Sequence, residues 1–109
     1  MDYVDQLRRL AIHADEPAPE SLAVAAAEGL APRELAIGRF SALIAMGGTD
    51  ASFSAAVDEA VRAQVSAREL VHAILGVAAV VGMPRAVSAA QHLAVVLGLD
   101  DDTVVPGSE

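Results

Sequence analysis

His72 stands near the head of the most apolar stretch of the chain, ELVHAILGVAAVVGMP, residues 69–84. Glu69 precedes it by three positions, so on a helix the carboxylate and the imidazole share a face and can meet. A histidine and a carboxylate within hydrogen-bond reach can act as a general acid–base pair. Burial would lower the pKa of the ring and raise that of the acid. The same residues have a purely structural reading. His72 then bonds a neighbouring helix or subunit as a neutral ring, and the glutamates cap helices or pair with Arg33 and Arg68. Arg39 lies mid-helix among apolar residues, where it can bind a substrate carboxylate, or snorkel or pair across an interface. His13, His72 and His92 show no i,i+3 or i,i+4 spacing among themselves, so no metal site is expected. His92, in AAQHLAVV, reads as a helix-surface residue. MGGTDAS has two glycines but neither the lysine nor the spacing of a phosphate loop, and reads as a turn.

The elements that must position these residues all read as helices. In the first ten residues Val4, Leu7 and Leu10 fall on one face. ADEPAPES breaks that pattern, and Glu20 or Ser21 opens a short helix that Gly29 stops. Pro32 suits the first turn of a third helix, which ends at Gly47-Gly48. Thr49 and Asp50 are good N-caps for a fourth. SARE, residues 66–69, is a capping-box pattern that starts a fifth. Gly82 ends the fifth, Pro84 sits just inside a sixth, and Gly98 closes it. Helix starts are therefore expected near Pro32, Ala51, Ala67 and Pro84. No segment sustains the period-two alternation of a strand. The expected fold is an all-α single domain of about six helices: N-terminal helices over 1–29, a core over 30–98 and an acidic tail over 99–109.

Composition narrows the function classes. The 109 residues carry a net charge of −8, with seven arginines and no lysine. That argues against nucleic-acid binding and removes Schiff-base chemistry. The absence of cysteine removes disulfides and thiolate catalysis. The N-terminus is charged and amphipathic, unlike a signal peptide, and the apolar stretch is too short and interrupted to span a bilayer. A cytoplasmic protein without membrane contact is expected. Apolar residues make up 54%, more than so small a sphere can hide, so a homo-oligomer is expected.

Residues 30–97 have a cadence of their own: L-x-P-R-E-L-A, then V-S-A-R-E-L-V-H-A-I-L, then V-A-A-V-V-G-M-P-R-A-V-S-A. This resembles the carboxymuconolactone decarboxylase and alkylhydroperoxidase D superfamily, whose members carry a related helix start followed by A-x-Y-x-G-x-P-x-A. The resemblance implies a helical-hairpin core, assembly as a trimer or hexamer, and sites between helices near subunit contacts. It also implies what is missing. The positions of the family's C-x-x-C-x-x-x-H fall at Thr49, Ser52 and Ala56, so thiol peroxidase activity is not expected. The family's frequent glutamate and tyrosine on the fifth helix fall at His72 and Val80. Glu34 matches a glutamate that moves protons in the peroxidase branch.

Two readings follow. One is a cofactor-free lyase or isomerase acting by proton transfer on a small, mostly apolar organic acid or cyclic ketone, with Glu34 and His72 catalytic, Arg39 binding substrate, and no metal. The other is a catalytically silent relative that serves as a small-molecule-binding or assembly module. Whether Glu34 and His72 line one cavity separates them.

Overall fold

A computed structural model describes residues 2–12 and 19–99. His13 and the tail beyond Leu99 lie outside the described residues. The described residues fall into two compact units divided between Leu30 and Ala31.

The first unit holds α1 (Tyr3–Ile12) and α2 (Pro19–Ala27). Asp2 Oδ1 accepts from the Val4 amide at 3.3 Å, capping α1. Neither helix buries a residue. The α1 stripe of Leu7 and Leu10 is exposed.

The second unit holds α3 (Pro32–Met46), α4 (Asp50–Arg62), α5 (Ala67–Val81) and α6 (Met83–Val96). The four starts lie at or within one residue of those expected from the caps. Every regular element among the described residues is a helix, with no strand among them. Local chemistry explains the boundaries. Thr49 Oγ1 accepts from the Ser52 amide at 3.1 Å. Ser66 and Glu69 form the reciprocal capping box at 3.0 and 3.1 Å. Gly47 and Gly82 stop α3 and α5 with φ of 78° and 91°, a region that favours glycine. Gly82 also opens α6, which makes α5 and α6 a tight hairpin.

α3 touches each of the other three helices, α6 packs on α4 and α5, and the core lies where they meet. Phe40, Ile44, Phe53 and Leu70 are its fully buried large side chains. Phe40 and Phe53 meet edge to face, centroids 6.0 Å apart. Each such buried side chain contributes about 2 to 3 kcal/mol over leaving it in water. Elsewhere the core is closed by small residues, Ala36, Ala60, Ala86 and Ala89. No buried side-chain polar atom lacks a partner among the described residues.

Candidate functional site

Glu34 is the third residue of α3, and its position there decides its use. Its Oε1 reaches back to accept from the Ala31 amide at 2.7 Å. Ala31 has no side-chain acceptor to return the bond, so this is half a capping box. Glu34 is exposed.

Glu69 is engaged twice. It completes the Ser66 capping box and forms a two-pronged ion pair with Arg33. Arg33 also donates to the Gln64 carbonyl, tying the α3 start to the turn before α5. The Arg33 guanidinium, helped by the Ser66 amide, holds the Glu69 carboxyl down at about 2. The same hydrogen bond raises the pKa of Arg33. This is the capping and pairing role that the structural reading gives the glutamates.

Arg39 projects from α3 and pairs with Glu59 of α4 at 2.5 Å. Both border a shallow cleft of about 260 Å³ between these helices. His72 was expected to be buried and bonded. In this chain it is exposed, and it has no hydrogen-bond partner among the described residues. The physical reason is its phase on α5. Leu70 and Ile74 point to the core, and His72 lies between them on the opposite side of the helix. Glu34 and His72 border neither the α3–α4 cleft nor the groove described next.

That groove, about 470 Å³, runs between α5 and α6. Val71 and Leu75 form one wall, Val87, Ala90, Ala94 and Leu97 the other. Among the described residues Gln91 is the one polar residue in its lining, and none with a charged side chain borders it. Such a surface offers dispersion and dehydration to an apolar group but no proton and no counter-charge.

Sequence reasoning missed one polar constellation. His92 Nδ1 lies 2.6 Å from Asp50 Oδ1. The ring stacks on Phe53, centroids 5.0 Å apart and planes 10° from parallel. Asp50 is the first residue of α4, beside Thr49 and Ser52, whose hydroxyls are 3.1 Å apart. Only 27% of the His92 side chain is open to solvent. The signal lay in the α6 stripe: Ala89 and Leu93 are buried, so His92 sits at the margin of the core rather than on the outer face. Its partner, 42 residues away, has no sequence signal.

Among the described residues no three histidine, aspartate or glutamate side chains gather as a metal site would need. No helix among them is long and apolar enough to cross a membrane. Compared with protein-family models, with curated proteins and with solved structures, the chain matches none.

Proposed function

We propose that this chain is a catalytically silent binding and assembly module of the carboxymuconolactone decarboxylase-like kind. The observation that carries this is the groove between α5 and α6, which no charged side chain of the described residues borders. It is the larger of the two hollows described in the helical core. The acid–base candidates stand apart from it: Glu34 caps α3, Arg39 pairs with Glu59, and His72 faces outward. A groove of that lining selects an uncharged apolar group, from a small molecule or from another protein surface. Self-association as a trimer or hexamer belongs to the same reading.

The test is an NMR titration with an uncharged aromatic probe and, in parallel, with its carboxylate analogue. The uncharged probe should shift resonances of Val71, Leu75, Val87 and Leu97, and Ala90→Phe should abolish the effect. Shifts centred on Arg39 or His92 by the carboxylate alone would reverse the reading.

A second reading, proton-transfer catalysis, has one observation in its favour. His92 and Asp50 converge on the first turn of α4, where Thr49 and Ser52 occupy the positions of the family's thiols. Asp50 fixes one ring nitrogen and leaves Nε2 for a substrate proton. If this centre is catalytic, His92→Gln removes turnover while leaving the fold in place.

A further inference from the structure

The outward face of α5 has the composition of an interior. Opposite the buried Leu70 and Ile74 lie Arg68 and His72 in the first turns, then Leu75, Gly76, Ala79, Val80 and Met83. Leu75 is 67% exposed, Val80 86% and Met83 63%. From Leu75 to Met83 this face offers water no polar side chain. A helix that is apolar all round is a buried helix, and here the described residues of the second unit cover only one side.

Gly76 sharpens the point. It sits mid-helix, where glycine weakens a helix relative to alanine. A Cβ placed there meets nothing within 4 Å, so nothing among the described residues requires the missing side chain. A glycine on an outward helix face lets another backbone come close.

The geometry points to a second copy of this chain as the occupant, seated with α5 against α5 about a two-fold axis near Gly76 and Ala79. Two features select a second copy. The first is charge. Each chain carries −8, yet residues 67–97 contain only Arg68, Arg85 and Glu69, a net of two minus one, or +1. Two such copies meet there with little repulsion, whereas of the acids of α4 Asp50 pairs with His92 and Glu59 with Arg39. The second is self-complementarity. The projecting Leu75 and Val80 flank the flat strip of Gly76 and Ala79, so each copy supplies both the ridge and the slot that a two-fold contact requires.

This inference rests on the assembly part of the proposed function and sharpens it. A two-fold contact gives dimers, or hexamers built from dimers, and not a bare trimer. The apolar strip is about 13 Å long and about 10 Å wide, a small interface, so association should be weak and concentration-dependent.

Sedimentation velocity of the full chain over a range of concentrations tests it, with Gly76→Leu, Gly76→Ala and Gly38→Ala as variants. Gly38, on α3, is equally open and serves as control. We expect a reversible dimer whose Kd rises about tenfold or more with Gly76→Leu, the loss typical of a spoiled interface centre. Circular dichroism should show that variant as helical as the parent. Gly38→Ala should leave Kd unchanged, and Gly76→Ala should raise the melting temperature of the monomer while weakening the dimer. A chain that stays monomeric at the highest soluble concentration overturns the inference. A trimer, or any assembly indifferent to Gly76→Leu, also overturns it but leaves the assembly reading standing. Failure of the aromatic probe to bind bears on the groove alone.

Discussion

At the scale of the residue, charge is used for anchoring. Glu69 is held at about 2 by Arg33 and the Ser66 amide, against an ordinary value of 4.5. The sign follows directly. Above 4.5 the carboxylate is ionised whether or not the chain is folded, and the full contribution is present. As pH falls from 4.5 towards 2 the unfolded chain takes up the proton first, and the contribution is lost. Glu69→Gln keeps an oxygen for the capping box and removes the charge. We expect the variant to melt lower than the parent at pH 7, with the gap closing as pH approaches 2, as thermal melts across this range would show. A gap that stays constant with pH would assign the effect to the cap rather than to Arg33. The pair is exposed, so the difference at pH 7 should be small.

His92 belongs to the same scale and carries a larger effect. It contributes a bond to Asp50 and a stacked contact on buried Phe53. His92→Ala should cost about 1 to 3 kcal/mol, combining a stacking loss with a charged hydrogen bond. Asp50→Asn should cost less, because the amide can still bond the ring while Phe53 keeps its stack. Chemical denaturation of both variants checks the order. His72, exposed and without a partner, should be nearly neutral in the dilute monomer when changed to Gln.

At the scale of the element, glycines of the same type have opposite meanings. Gly47 stops α3 with φ of 78°, and a Cβ there runs into the Arg85 guanidinium. Gly38 has room and an ordinary helical backbone. Gly47→Ala should therefore destabilise by about 1 kcal/mol or more, whereas Gly38→Ala should stabilise by about 0.5 to 1 kcal/mol. Paired melting curves of the two variants decide it. The elements were also the most legible feature of the sequence, because their ends are set by neighbours along the chain. Thr49, Ser66 with Glu69, Gly47 and Gly82 each act within four residues, and each can be read without knowing the fold. Pairings such as Arg33 with Glu69 or His92 with Asp50 span 36 and 42 residues, so their geometry depends on packing that no local pattern records. The apolar run of α5 shows the other limit. Periodicity marks it as fit for burial on all sides, and only the packing of α3, α4 and α6 shows which side the second unit's described helices leave uncovered.

At the scale of the whole molecule, the core is narrow and depends on few side chains. Phe40 is fully buried on α3, the helix that touches the other three, and it meets Phe53 edge to face. Few aromatics exist to compensate, since the chain has two phenylalanines and one tyrosine. Phe40→Ala should cost about 3 to 5 kcal/mol, a large share of the stability of a domain this small. The first unit stands differently. α1 and α2 bury no residue, whereas every core residue among those described lies beyond Ala31. A chain begun at Ala31 should thus retain the cooperative melt of the parent, shifted by only a few degrees, and should keep the α5 face and its self-association. Calorimetry and sedimentation of that fragment measure both. Loss of the cooperative transition would show that the thirty residues before it supply packing that α3 to α6 cannot do without.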